Sequence, residues 1–247
     1  MATPYRQIRA LYDDDTITVY QAYGNAIATA AVENQKLNAS PSFRTGSRMT
    51  WIKPSWAWML YRAGYSYKDA GQARILALRM KHSDFIGLLE KGVLTTHPPH
   101  QQEQEQHTSE NKKTKEREKS SDVKIQWDPE RTVRLDKLEY RSIQIGIPGA
   151  LTEDWVENLI VGIEDVTERA RDLKKVIDER PEVTDQELVE LGLVPSERPF
   201  EIPEELQRAL GMIWLGEGQK SRVDSDRVCA WVSHSSRMLQ AYGTLDY

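Results

Sequence analysis

Hydrophobic and polar positions change period several times along the first ninety residues, and each change marks an element. Residues 16–23, Thr-Ile-Thr-Val-Tyr-Gln-Ala-Tyr, alternate and are rich in β-branched and aromatic side chains, which predicts a strand. Ile17, Val19 and Gln21 share one of its faces; Thr18, Tyr20 and Ala22 share the other. Upstream, residues 8–12 are short and mixed, and Asp13-Asp14-Asp15 forms a turn because these side chains bond their own backbone. Residues 25–38 have the Ala-rich composition of a helix. Residues 49–53 read as a short strand, and 55–63 as a helix that Gly64 stops, with Pro54 suited to its first turn. A second strand spans 73–80, followed by a helix over 83–91 with Ser83 as its N-cap.

Further on, strands are predicted at 123–127 and 141–147, with a turn at 128–131 after the first. Ile143, Ile145 and Ile147 define one face of the latter strand, so Ser142, Gln144 and Gly146 point the other way. Residues 152–175 read as one amphipathic helix through Trp155, Leu159 and Ile163, ended before Pro181. A short helix at 185–193, a Pro-punctuated linker at 195–203 and helices at 204–215 and 223–242 complete the chain. The order predicts an α+β fold with a mixed or antiparallel sheet core of short strands and flanking helices. Residues 1–175 form that core domain, and 176–247 a C-terminal helical extension.

Residues 97–121 break every pattern. Two prolines lead into Gln, Glu, His and Lys without an apolar anchor, a composition that cannot offset the entropy of ordering and predicts a disordered insertion. Its histidines have nothing to fix a metal geometry. The single cysteine, Cys229, excludes a disulfide framework and suits a reducing compartment. The net charge of −5 leaves no global footprint for nucleic acid, although a local basic groove is compatible with it. No apolar run approaches the roughly 20 residues of a membrane span, and the first residues lack a signal-peptide core. The expected setting is intracellular, cytoplasmic or nuclear, with no membrane partner.

Chemistry concentrates in residues 48–62, Arg-Met-Thr-Trp-Ile-Lys-Pro-Ser-Trp-Ala-Trp-Met-Leu-Tyr-Arg, which carry three of the seven tryptophans. Lys53 has apolar neighbours nearly all round, so its ammonium needs a partner anion or a shifted pKa. At a strand–helix junction, Lys53 and Ser55 stand beside unpaired amides and the positive end of a helix dipole, a good place for an anion or phosphate. The other polar residues set among apolar ones are Arg9, Tyr20, Gln21, Arg48, Arg62, Gln72, Gln126, Glu130, Arg131, Arg141 and Gln144. Cations and amides dominate. No His, Asp or Glu cluster has metal-ligand spacing, a Ser-His-Asp triad lacks its His, and there is no Walker loop or dinucleotide fingerprint. The remaining set fits a phosphorylated small molecule or nucleotide, with Arg and Lys for phosphates and Trp51, Trp58 or Tyr20 for stacking.

Ile8-Arg-Ala-Leu-Tyr-Asp-Asp, Ile17-Thr-Val-Tyr-Gln-Ala-Tyr, Met49-Thr-Trp-Ile-Lys-Pro-Ser, Gln126-Trp-Asp-Pro-Glu-Arg and Arg141-Ser-Ile-Gln-Ile-Gly together resemble the DUF4291 family, small uncharacterised proteins of bacteria and fungi. The likeness covers residues 5–175 and implies no activity. Three function classes fit. Short strands with an early Arg or Tyr, an aromatic-lined helix and a late Gln or Glu look similar to the ADP-ribosyltransferase superfamily. In that reading NAD is the substrate nucleotide, Tyr20 or Trp58 stacks, Arg9, Arg48 and Arg62 hold the diphosphate, and Gln144 or Glu130 faces the ribose. A second class makes Lys53 the nucleophile of a nucleotidyl transferase or ligase acting on RNA ends, without the usual Lys-x-Asp-Gly context. The third is a nucleotide- or RNA-binding module without catalysis.

Overall fold

The computed structural model describes residues 3–46, 48–95 and 121–213, of which all but Ile213 belong to one compact unit ending at Met212. Its elements are β1 (Arg9–Ala10), β2 (Thr16–Tyr23), α1 (Asn25–Asn34), β3 (Thr50–Ile52), α2 (Trp56–Ala63), β4 (Arg74–Lys81), α3 (His82–Glu90) and β5 (Gly92–Leu94). After the insertion come β6 (Val123–Arg131), β7 (Lys137–Ile147), the single turn α4 (Thr152–Asp154) continuing into a π turn (Trp155–Leu159), and β8 (Gly162–Asp165). The described chain closes with α5 (Thr167–Glu179), α6 (Asp185–Glu190), β9 (Arg198–Pro199) and α7 (Glu204–Ala209). The fold is α+β. No described helix is long and apolar enough to cross a membrane.

Three sheets carry the architecture, in the orders β2-β4-β8, β3-β7-β6-β5 and β1-β9. All pairings are antiparallel except β5 with β6. The alternation read in residues 16–23 has a direct consequence here. Ile17 and Val19 of β2, Leu76, Leu78 and Met80 of β4, and Ile52, Ile125, Ile143, Ile145 and Ile147 of the four-stranded sheet all enter one buried core. The opposite faces carry a second cluster, in which Tyr20 and Ala77 pack with Trp56, Met59 and Leu60 of α2 and Ala170 and Leu173 of α5. A lone bridge between Tyr20 and Lys53, with Tyr20 N–H donating to Lys53 O at 2.8 Å, joins the two larger sheets.

Several sequence expectations change. The helix expected over 152–175 is interrupted by β8, which completes the edge of β4; the helical run ends at Leu159, Ile160 is already extended, and the Gln35 side chain bonds both backbone groups of Ile163. Hydrophobic period alone could not see that β4 had an open edge to fill. The turn expected at 128–131 is strand: β6 runs to Arg131 through a bulge between Pro129 and Arg131, where a proline costs no ladder bond. The reversal comes later, near Leu135, whose φ is +72°. Helix α1 ends at Asn34 because Gln35 turns left-handed (φ 53°), four residues short of expectation. Helix α3 starts at His82 rather than being capped by Ser83, and Pro54 precedes the Ser55 cap of α2 instead of entering its first turn.

The chain does not divide at residue 175. Helix α5 runs through it, the 195–203 linker contributes β9 to a sheet with β1, and α7 supplies Leu206 to the main core. Helix α7 stops at Ala209 rather than 215. The expected insertion at 97–121, apart from Ser121, and the helix at 223–242 with Cys229 lie outside the described residues.

Candidate functional site

The junction between β3 and α2 brings the polar residues of the 48–62 stretch against β6. Lys53 is 1% exposed, and its ammonium ion-pairs with Asp128 Oδ2 at 2.9 Å while lying 3.8 Å from the centre of the Trp58 ring. Burial pulls its pKa down to about 8, against the opposing pull of Asp128 and then Glu130. Near neutral pH Lys53 is therefore an ammonium that gives up its proton much more readily than an ordinary lysine.

Ser55 caps α2 and ties it to β6. Its Oγ accepts from Trp58 N–H at 3.1 Å and donates to Glu130 Oε1 at 2.8 Å. Glu130 is 4% exposed and also accepts from the Arg131 N–H. The next orphan amide of the helix, Trp56 N–H, donates to Glu197 Oε1 at 2.6 Å. Glu197 is half-buried as a residue, but its carboxyl is turned inward onto that amide. Burial pushes its pKa up to about 8; the Trp56 amide opposes the rise, Glu130 adds to it, and Arg9 opposes it. The α2 N-terminus is thus occupied by the chain's own groups, which corrects the expectation that it waits for an outside anion.

Arg9 and Tyr20 reach this cluster from β1 and β2. Arg9 Nη2 donates to the Glu197 carbonyl at 2.9 Å, and the Tyr20 ring packs on Trp56 with centroids 5.2 Å apart. The Tyr140 hydroxyl titrates above its usual range through burial, then the nearby charge of Glu130. The register places Asp128 opposite Ser142, Gln126 opposite Gln144 and Trp51 opposite Gly146, all on the sheet face that bears Lys53. Gly146 is required there: a Cβ would come within 2.8 Å of the Trp51 ring. Gln144 Oε1 and Ser142 Oγ are buried without a partner among the described residues.

Other expected site residues are engaged elsewhere. Gln21 is a core cross-link, donating to Thr50 Oγ1 and Trp51 O and accepting from the Tyr23 hydroxyl. Gln72 bonds Asp69; Arg48 and Arg62 are exposed on separate elements. Arg131 stacks on the Tyr61 ring at 3.8 Å, and Arg141 donates to the Tyr5 hydroxyl and Trp127 O. Of the three arginines expected to hold a diphosphate, only Arg9 stands at the cluster.

Two carboxylates escaped the sequence reading. Asp128 stands in Gln-Trp-Asp-Pro-Glu-Arg, where the adjacent Pro129 predicts a turn, whereas Glu197 in Pro-Ser-Glu-Arg-Pro has no local signal at all. Among the described residues, no group of three or more His, Cys, Asp or Glu is placed to hold a metal ion. The cluster can therefore hold and move protons through Lys53, Glu197 and their partners, stabilise positive charge with Asp128 and Glu130, and offer aromatic faces. No curated protein matches the chain. A family model, described as a domain of unknown function, matches residues 7–200, and the chain belongs to this family, DUF4291.

Proposed function

We propose that the protein is a nucleotide-using transferase of the ADP-ribosyl type, acting on NAD. The observation that carries this reading is Glu130: a buried carboxylate on a strand, anchored through Ser55 where the Arg9, Tyr20 and α2 elements meet. Transfer of ADP-ribose breaks the bond between the ribose C1′ and nicotinamide, which leaves with the electron pair. The acceptor then attacks C1′ and gives up a proton. The oxocarbenium-like centre needs a fixed negative group more than a metal, and a carboxylate whose direction is set by Ser55 and the Arg131 amide supplies it without reorganisation. Arg9 is the group suited to the diphosphate, Gln144 to a ribose hydroxyl, and Trp58 to stacking; the Tyr20 ring, expected to share that role, is buried against Trp56 instead.

Incubation with NAD and chromatography for free nicotinamide tests the reading. Wild-type protein releases nicotinamide in the presence of an acceptor such as RNA or its own side chains, and Glu130→Gln loses at least about a hundredfold of that rate. Absence of both release and NAD binding overturns it.

A second reading is favoured by the depressed pKa of Lys53. Neutral Lys53 Nζ attacks the α-phosphorus of a nucleoside triphosphate and pyrophosphate leaves; the RNA end then attacks the same phosphorus, the P–N bond breaks, and the nucleotidyl group passes to RNA as Lys53 is released. Mass spectrometry after incubation with ATP or GTP then finds the nucleotidyl mass on the peptide containing Lys53. Affinity for RNA with neither turnover nor adduct identifies a binding module instead.

A further inference from the structure

A cavity of about 220 Å³ opens on the outer face of the β2-β4-β8 sheet, between the strands and the start of α5. Thr18 and Tyr20 of β2, Ala77 and Arg79 of β4, Glu164 of β8 and Arg169 of α5 line it. Its size falls below the roughly 300–1,000 Å³ of pockets for drug-sized ligands, so its guest is smaller than a dinucleotide.

Its polar groups are unequally satisfied. Glu164 is answered by Arg169 at 3.0 Å. Asp13, at the rim, is answered by the Thr16 hydroxyl and by the amides of Asp15 and Thr16. Two donors have no such answer. The Tyr20 hydroxyl, on a residue 1% exposed, is buried without a partner among the described residues. Burial, followed by the charge of Glu197, holds it well above the usual tyrosine range, so it remains a neutral O–H donor. Arg79 has no carboxylate or carbonyl partner for its guanidinium among the described residues. That guanidinium lies across Gly162 of β8, where a Cβ would fall within 2.8 Å of Nη2 and 2.9 Å of Nε. A buried O–H without an acceptor is costly, and Arg79, an exposed residue, brings to the same cavity a hydrated guanidinium that an incoming oxyanion can take up.

We infer that this cavity is an oxyanion-binding site, taking the phosphate or carboxylate end of a small molecule between the Tyr20 hydroxyl, Arg79 and Arg169. The donors arrive from three elements, and the guanidiniums offer the paired N–H geometry that oxyanions accept. The site stands apart from the Lys53–Glu130 cluster, with the Tyr20 ring between the cavity and Trp56, and its occupancy does not depend on the ADP-ribosyl reading.

Isothermal titration of the full chain at low ionic strength with inorganic phosphate, and separately with acetate, tests the assignment. Wild-type protein binds at least one of the two, and the tighter of them tells whether the natural guest carries phosphate or carboxylate. Arg79→Ala weakens that binding about tenfold, and Tyr20→Phe weakens it several-fold without lowering the melting temperature, because the hydroxyl has no protein partner to lose. Lys175→Ala, which removes an exposed cation elsewhere on α5, leaves the affinity unchanged. Failure of both anions to bind overturns the assignment. So does equal binding by wild type, Arg79→Ala and Tyr20→Phe, or equal weakening by Arg79→Ala and Lys175→Ala.

Discussion

The N-terminus of α2 and the cavity above Tyr20 are two places built to favour an anion, and the chain treats them oppositely. At α2 two of the orphan amides already have acceptors, Ser55 Oγ on Trp58 and Glu197 Oε1 on Trp56, and Lys53 already has Asp128. At the cavity the Tyr20 hydroxyl has no acceptor. A positive dipole or a buried lysine thus marks where negative charge is stable, not where it is missing. The missing charge is found only by accounting for every donor.

The comparison breaks first at Lys53. Asp128→Ala leaves a 1%-exposed ammonium without its anion and is expected to cost about 3 kcal/mol. That is the low end for buried pairs, because the Asp128 side chain keeps 23% exposure. Urea unfolding of the two proteins at neutral pH measures it. A loss under about 1 kcal/mol means that Lys53 deprotonates or finds water instead, and that its pairing with Asp128 does not hold the junction.

Next in size is Glu197→Gln, read as a slope. The Glu197 carboxyl titrates near 8 in the folded chain against 4.5 ordinarily, so between those values the folded state holds a proton that the unfolded state has released. Its stabilising contribution is complete below pH 4.5 and is lost as pH rises through 8. Lys53 acts in a separate window: its depressed value makes stability rise with pH between about 8 and 10.5. Wild-type protein should therefore lose stability between pH 5 and 8 more steeply than Glu197→Gln, whose amide carries no proton to release. Parallel denaturation curves across that range would show that Glu197 is solvated rather than turned onto α2.

What the sequence could tell about these places follows the range of the interactions. The alternation of Ile17 to Tyr23 and the Lys-Pro-Ser junction are local, and both β2 and the Ser55 cap follow from them. The face shared by Lys53, Gln144 and Gln126 also follows from pairing parity once β3, β7 and β6 are neighbours. Glu197 reaches Trp56 across 141 residues, and nothing in its neighbourhood announces that contact. Strand β8 was hidden because Trp155, Leu159 and Ile163 fit a helical period, while the need for a strand lay on β4. The cavity beside Tyr20 exists only because β8 is there, so it could not be read before β8 was.

Smaller still is the effect of uncapping. Ser55→Ala removes the α2 cap and one of the two donors to Glu130 Oε1, and is expected to cost about 2 kcal/mol, the upper range for an N-cap. Circular dichroism through thermal unfolding measures it. Ser55→Asp can restore the bond to Trp58 but sets a second carboxylate against Glu130. If that variant were as stable as wild type, the bond from Ser55 to Glu130 would contribute nothing beyond the cap.

The smallest change in stability tests the cavity most directly. In Gly162→Ala the three atoms nearest the new Cβ all belong to the Arg79 guanidinium, the far end of a flexible and exposed side chain that can swing into solvent. Alanine also suits a strand better than glycine, so the stability of the fold should change by no more than about 0.5 kcal/mol. Arg79 would nevertheless be displaced from the surface that aims it into the cavity. Oxyanion affinity should then fall nearly as far as in Arg79→Ala, while nicotinamide release, if Glu130 supports it, should persist without added phosphate. Unchanged anion affinity in Gly162→Ala would mean that the position of Arg79 over Gly162 is incidental, and that the cavity holds its guest by charge alone.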